Sequence, residues 1–138
     1  MRRIVLDTNV LVSAFRSRRG RSNKLVALIG SERFGLVISV PLVLEYEDAA
    51  LRQIEALCYT PDEVREIIDF VCWAGEATPI YYLWRPFLPD PKDDLVLEAA
   101  VAGRCDTIVT FNQRDFKGVD KFALQVRTPR AFLEELET

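Results

Sequence analysis

The stretch Ile4-Val5-Leu6-Asp7-Thr8-Asn9-Val10, near the start of the chain, decides the fold. Its first three residues are apolar and rich in β-branching, which predicts a short buried strand, Arg3–Leu6. Three small polar residues interrupt the apolar run, and Val10–Phe15 is then predicted to start a helix with Thr8 or Asn9 as its cap. An apolar strand that leads directly into a helix is typical of a parallel sheet covered by helices.

The alternation of strand and helix continues to the end of the chain. Further strands are predicted at Phe34–Ser39, Pro79–Trp84, Thr107–Thr110 and Leu124–Val126. Further helices are predicted to start at Ser22, at Pro41 (continuing to about Leu57), at Thr60-Pro61, at Asp93 or Asp94, and at Thr128-Pro129. The run Leu95–Ala102 is apolar nearly all round, which indicates a buried helix. We predict one α/β domain over residues 1–138, with a Rossmann-like three-layer arrangement and a central parallel sheet of about five strands flanked by helices.

Composition narrows the class of protein. A chain of 138 residues with 49% hydrophobic residues can bury a sizeable core. The sequence contains no histidine, which excludes histidine-ligated zinc, Ser-His and Cys-His nucleophilic sites and histidine general bases. Three cysteines without a CxxC pair fit a reduced protein. No apolar run resembles a signal peptide or a membrane span, so we expect a soluble cytoplasmic protein.

Acidic residues follow the predicted strands or open the predicted helices. Asp7 follows the first strand, and Asp115 follows the strand Thr107–Thr110. Glu45 lies in the first turns of the helix that starts at Pro41, and Asp94 opens the buried helix. Because the carboxyl ends of parallel strands meet at one edge of a sheet, these side chains are expected to lie close together.

Clustered carboxylates predict a divalent metal ion. Several carboxylates cannot share a pocket in ionised form without a cation, and Mg²⁺ or Mn²⁺ prefers oxygen ligands. Such ions can activate water for phosphodiester hydrolysis, which supplies what a missing histidine cannot. Each acid also has a structural interpretation. Asp7 can simply end a strand, Asp93 and Asp94 can cap a helix, Glu45 can be solvated, and Asp115 can belong to a turn.

The net charge of −3 is not typical of a nucleic-acid-binding domain, since such domains are usually basic. Basic residues nevertheless cluster shortly after Asp7, at Arg16, Arg18, Arg19 and Arg21. They are predicted either to form a solvated loop or to contact phosphates of a nucleic acid. The aromatic residues Trp73, Trp84 and Phe87 are candidates for base stacking, although a core or interface role is the simpler interpretation.

Four segments, in order, resemble the motifs of PIN-domain nucleases. They are Ile4–Val10, Ile38–Glu47, Asp90–Ala100 and Thr107–Phe116. The resemblance covers nearly the whole chain and is closest to the small prokaryotic PIN proteins that act as toxins of toxin–antitoxin pairs, the VapC-like group.

The resemblance implies a PIN-like fold, Mg²⁺ or Mn²⁺, endoribonuclease activity, a homodimer and a small antitoxin partner. Asp7, Glu45 and Asp94 match the three core acids of the metal site. Asn9 and Thr110 match supporting residues. The fourth acid matches Asp115, while Asn112 stands where some relatives carry Asp, which puts a second metal ion in question.

The sequence therefore predicts a metal-dependent endoribonuclease, with Asp7, Glu45, Asp94 and Asp115 as catalytic and metal-binding residues and Asn112 as a further ligand. The alternative is a catalytically weak PIN-like module that binds RNA or a protein without cleavage. A third hypothesis is a phosphoacceptor receiver domain, but such domains have paired acids after strand one and a lysine after the last strand. Here Asp7 stands alone, and Arg127 and Thr128 follow the last predicted strand.

Overall fold

The computed structural model describes residues 1–80 and 86–137. Its centre is a sheet whose five strands are β1 (Arg3–Leu6), β2 (Gly35–Ile38), β3 (Glu76–Ala77), β4 (Thr107–Val109) and β5 (Gln125–Arg127). The strand order is β3-β2-β1-β4-β5, and every neighbouring pair is parallel. The predicted α/β fold with a parallel five-stranded sheet is confirmed.

Within residues 1–80 and 86–137, six α-helices flank the sheet. They are α1 (Thr8–Arg16), α2 (Arg21–Ala27), α3 (Val40–Arg52), α4 (Pro61–Ala74), α5 (Pro91–Ala102) and α6 (Pro129–Leu136). Short 3₁₀ helices occupy Ile54–Ala56, Gln113–Phe116 and Val119–Phe122. Helix α5 packs against β1, β2 and β4, and its side chains from Val96 to Ala100 are all buried, as its apolar sequence predicts. None of the helices in the described ranges has the length and apolarity that crossing a bilayer requires.

The start of α5 differs from the prediction. The cap is Asp90, whose carboxylate accepts a hydrogen bond from the backbone N–H of Lys92 at 2.9 Å, and Pro91 occupies the first helical position. Proline suits that position because its fixed φ is already helical and no N–H is left unpaired. Asp93 and Asp94 therefore lie inside the first turn rather than at the cap.

Two other helices also begin earlier than predicted. Asp7, not Thr8 or Asn9, caps α1, and Gly20, not Ser22, caps α2. Small polar neighbours have similar capping preferences, so local sequence leaves a boundary open by one or two residues. Helix α3 also ends at Arg52 and gives way to the 3₁₀ helix, short of the predicted Leu57.

Among the described residues, the third strand lies before the segment Pro79–Trp84 for which a strand was predicted. Glu76 and Ala77 pair with Val37 and Ile38 of β2. Pro79 and Ile80 lie outside any strand, because a proline nitrogen cannot donate to the ladder, and the rest of the predicted strand Pro79–Trp84 lies outside the described residues.

The register of the central strands brings distant polar residues to one edge. Leu6 at the end of β1 pairs with Val109 at the end of β4, so Asp7 and Thr110 follow side by side. The N–H of Asp7 continues the ladder by donating to the carbonyl of Val109 at 2.9 Å. Buried Tyr46 of α3 donates its hydroxyl to the carbonyl of Leu6 at 2.5 Å. The carboxyl edge of the sheet is thereby held rigidly from two sides.

Candidate metal and nucleic-acid site

A cavity of about 390 Å³ opens at the carboxyl edge of the sheet. Polar side chains dominate its lining, which includes the acids Asp7, Glu45, Asp90, Asp93 and Asp115, the amides Asn9 and Asn112, and the cations Arg16, Arg52 and Lys92. Five elements or their connections contribute these groups, from β1 to the loop after β4. Of the predicted acids, the structure brings Asp7, Glu45 and Asp115 together.

Asp7 is the most buried acid in the lining. Its Oδ2 accepts a hydrogen bond from the hydroxyl of Thr110 at 2.6 Å. Burial raises the pKa of Asp7, hydrogen bonds from Thr110 and from the backbone of Thr8 oppose that rise, and the charges of Asp115 and Asp90 add to it. The carboxylate is thus costly to keep ionised without a cation nearby.

Thr110 and Asn9 form a polar support beneath Asp7. The Thr110 hydroxyl oxygen accepts from the backbone N–H of Asn112 at 3.0 Å, which orients its own proton toward Asp7. The Asn9 amide lies 3.5 Å from the Thr110 oxygen and accepts from the backbone N–H of Phe111 at 3.5 Å. Both residues therefore belong to one hydrogen-bond network that ends at the carboxylate of Asp7.

The adjacent acids Asp93 and Asp94 point to different environments. Asp94 is 1% exposed and does not line the cavity; its Oδ1 accepts a hydrogen bond from the backbone N–H of Leu88 at 3.0 Å. Asp93 is partly exposed and lines the cavity. Asp93, and not the predicted Asp94, therefore lines the cavity. Successive residues of a helix lie about 100° apart, so only one of the two can face the cavity.

Burial and neighbouring charges together raise the pKa of Asp93 strongly. Burial raises its pKa to about 7 from an ordinary value of 3.8, and the charges of Asp7, Asp90, Asp115 and Asp94 add to the rise in that order. At neutral pH this carboxyl is about half protonated. Carboxylates crowded in this way are relieved either by a proton or by a metal cation.

Glu45 has basic neighbours instead. Its side chain is 13% exposed, and its Oε1 lies 3.6 Å from the Arg52 guanidinium and 3.5 Å from the Lys92 ammonium. Arg52 follows Glu45 by two helical turns and so lies on the same face of α3. These two cations in the lining were not singled out from the sequence, although the seven-residue spacing of Glu45 and Arg52 is a signal that could have revealed one of them.

The donor set of the cavity fits a hard divalent cation, but its side chains do not converge on one point. Within residues 1–80 and 86–137, no three carboxylate or thiol groups surround a common position at ligand distance. Mg²⁺ usually keeps several waters and takes only one or two carboxylates directly, so such convergence is not required. Asp7 and Asp93 are the pair whose raised pKa values a cation would relieve.

The segment after β4 completes the lining. The N–H of Asp115 donates to the carbonyl of Asn112 at 3.0 Å, a turn that leads both side chains to the cavity. An amide at position 112 offers a neutral oxygen where a carboxylate would add charge. The site therefore has one negative charge fewer than an all-acid arrangement would have.

Of the four predicted nucleic-acid-binding arginines, only Arg16 lines the cavity, where it also hydrogen-bonds to Gln53. Arg18 lies over the ring of Tyr59 at 4.2 Å. Arg21 lines a separate cleft between α2 and α6, and Arg19 is exposed.

Of the three aromatic candidates, Trp73 and Phe87 do not line the cavity. Trp73 is exposed on α4, Phe87 packs edge-on against Phe122, and Trp84 lies outside the described residues.

The sequence profile of the PIN domain matches residues 3–114 of the chain. The chain belongs to the PIN-domain family. This PIN domain also resembles two solved structures. One, with 17% identity and a TM-score of 0.60, is VapBC2 from Rickettsia felis bound to a DNA fragment from the promoter; the match covers 90% of this chain and 98% of that one.

The other is VapBC-1 from nontypeable Haemophilus influenzae, with 16% identity, a TM-score of 0.61, and coverage of 93% and 98% of the two chains. At these identities the similarity establishes the fold alone. No curated protein matches the sequence. The family membership and the fold expected from the four sequence motifs are confirmed.

Proposed function

We propose that this PIN domain is a Mg²⁺- or Mn²⁺-dependent endoribonuclease that hydrolyses phosphodiester bonds. The observation that carries the proposal is the crowding of carboxylates in one cavity at the carboxyl edge of the sheet, where the pKa of Asp93 rises to about 7. A fold does not need such a cluster for stability, because unpaired like charges destabilise it. Strained acid clusters of this kind are typical of functional sites.

Asp7 and Asp93 are the residues that would hold the ion, with Asp115, Asn112 and Glu45 completing its surroundings. A divalent ion there would supply Lewis-acid stabilisation of a phosphodiester and a lowered pKa for the attacking water. Thr110 orients Asp7, and Asp94 fixes the segment before α5 through the N–H of Leu88.

Cations at the rim of the cavity complete the proposed site. Arg16, Arg52 and Lys92 present positive charge beside the carboxylates. Substrate phosphates would otherwise be repelled by the acids, and Arg and Lys are the usual phosphate-binding residues. The ion pairs of Glu45 with Arg52 and Lys92 keep these side chains at the cavity until a phosphate arrives.

The test is a cleavage assay on a mixed RNA pool, with matched DNA, in Mg²⁺, Mn²⁺ or EDTA. We expect RNA cleavage that EDTA stops and that Asp7→Asn and Asp93→Asn abolish. Asp94→Asn keeps an oxygen that can accept from Leu88, so a reduction of about tenfold is expected, as for other residues that act through a neighbour. Asp120→Asn, an exposed acid away from the cavity, is the matched control. Full activity of a folded Asp93→Asn protein would refute the proposal.

A catalytically weak RNA-binding module is the second candidate. It is favoured by the basic neighbours of Glu45 and by the lack of three converging ligands within the described residues. RNA binding without metal-dependent cleavage, under conditions where Mn²⁺ stabilises the protein, would identify it.

We also propose that the protein binds a small antitoxin, as the VapBC names of its structural relatives suggest, and that it forms a homodimer. Exposed apolar side chains at Val40, Leu44, Phe70 and Trp73 on α3 and α4 offer a surface for such partners. Light scattering should report a dimer, and Leu44→Asp should weaken either this dimer or the complex with a co-expressed neighbouring gene product. A monomer that binds no such product would refute both partners.

A further inference from the structure

A second cleft adjoins the carboxylate cavity. It has a volume of about 660 Å³ and is lined by the five consecutive residues Phe111–Asp115. Asn112 and Asp115 line both spaces, so the two lie side by side. A polymer whose phosphate lies at the carboxylates therefore has this cleft as its immediate neighbour.

The cleft presents an exposed aromatic ring. Phe111 is 46% exposed, although the residue before it, Thr110, is fully buried and contacts Asp7. The backbone of Phe111 is tied to the polar support through its N–H and the Asn9 amide oxygen. Of the large exposed apolar residues within the described ranges, Phe111 is the one that lies beside the carboxylates. A phenyl face at such a position suits stacking with a base.

The backbone beneath the ring is firmly held. The 3₁₀ helix that follows, Gln113–Phe116, buries Phe116 in the core. The side chain of Gln113 donates to the carbonyl of Val126 on β5 at 3.0 Å. An aromatic residue on a fixed backbone loses little entropy on stacking, which favours affinity.

The cleft also offers an uncommitted cation. Arg114 is exposed, and no hydrogen bond or ion pair joins its guanidinium to another group in residues 1–80 and 86–137. By contrast, Arg2, Arg3 and Arg127 are each paired with a glutamate. A free guanidinium beside an aromatic ring is the combination that recognises a nucleotide, with the ring on the base and the cation on a phosphate.

We propose that the Phe111–Asp115 cleft binds the nucleotide next to the cleaved phosphate, with its base stacked on Phe111 and a flanking phosphate on Arg114. The inference rests on the proposed RNA hydrolysis and specifies its substrate. A base can stack on a side chain only when it is unpaired and splayed out. The substrate is therefore a single-stranded segment, and paired RNA enters the cleft poorly.

The test compares binding of a labelled single-stranded RNA oligonucleotide and its fully paired duplex, by fluorescence anisotropy in EDTA. Phe111→Ala should weaken single-strand binding about tenfold, as loss of one stacking aromatic typically does, and Phe111→Trp should retain it. Phe111→Leu, which keeps apolar volume and removes the aromatic face, should behave like Phe111→Ala. Duplex binding should not change. Asp120→Asn, at an exposed side chain that lines neither the cavity nor the cleft, is the matched control.

Arg114→Gln should weaken binding by the same factor for all RNA sequences. It should also reduce the slope of log K against log salt concentration by about one, the amount that corresponds to one phosphate contact. In Mn²⁺, Phe111→Ala should raise KM with little change in kcat. Wild-type affinity in folded Phe111→Ala, or equal losses for single strand and duplex, would overturn the inference. Binding that depends on Phe111 in a protein that never cleaves would support the cleft and refute the proposed hydrolysis, so the two failures are distinguishable.

Discussion

Asp93→Asn should stabilise the metal-free protein at alkaline pH. The pKa of Asp93 is about 7 in the folded protein, against an ordinary 3.8 that we take for the unfolded chain. The unfolded state therefore releases the Asp93 proton at a lower pH than the folded state does. The contribution of Asp93 to the free energy of unfolding is therefore greatest below about pH 4 and decreases as the pH rises to about 7. Above that pH the side chain is ionised in both states, and the contribution no longer changes.

The change in the free energy of unfolding follows from the difference between the folded and unfolded pKa values of Asp93. That difference corresponds to about 4 kcal/mol, since each pKa unit is worth about 1.4 kcal/mol. Asp93 is partly exposed, and solvent screening reduces this to about 2 kcal/mol. An asparagine carries no charge at any pH. The variant should match the wild type near pH 4 and exceed its free energy of unfolding by about 2 kcal/mol at pH 8.

The assay is urea denaturation followed by circular dichroism, in EDTA, at pH 5 and pH 8. A gain of about 2 kcal/mol should raise the urea midpoint by about 1 M, given typical denaturant slopes for small domains. Asp120→Asn should leave the midpoint unchanged at both pH values. Adding Mg²⁺ at pH 8 should stabilise the wild type by mass action and Asp93→Asn much less. An Asp93→Asn protein no more stable than the wild type at pH 8 would show that Asp93 is not crowded as described.

Three further predictions concern the framework around the site. Thr110→Val removes the hydrogen bond to buried Asp7 and should lower the free energy of unfolding by about 1–3 kcal/mol in urea melts, whereas Thr110→Ser should not. Gly103→Ala would put a Cβ 2.4 Å from Cγ1 of Val37 and should cost about 1–3 kcal/mol; failure of an added Val37→Ala to restore stability would contradict the clash. Thr60→Ala breaks the capping box of α4 and should lower stability by about 1 kcal/mol in thermal melts, while an equal loss in Thr60→Ser would contradict the role of the hydroxyl.

Local sequence predicted most elements because their signals are local. Short apolar runs predicted β1 with its observed bounds, and predicted the ends of β2, β4 and β5 to within one residue. Thr60 and Thr128, each followed by proline, correctly predicted where α4 and α6 begin. Strand β3 was not predicted, because its two residues pair with β2 without any β-rich composition of their own.

The rim of acids was also predictable, because chain direction alone decides where strands end. Asp7, Glu45 and Asp115 line the cavity for that reason. The choice between Asp93 and Asp94 was not predictable in the same way. The two acids differ by one residue on α5, and which of them faces the cavity depends on how that helix packs against β1, β2 and β4.

The sequence by itself determined a parallel α/β sheet with carboxylates at one edge, since hydrophobic periodicity and chain direction are properties of the chain. Tertiary structure alone decided that Lys92 pairs with Glu45, that Asp94 accepts a hydrogen bond from Leu88, and that Phe111 is exposed beside the acids. These are contacts between residues far apart in sequence, or rotations about a helix axis. Both depend on how packed elements are oriented, which no local pattern encodes.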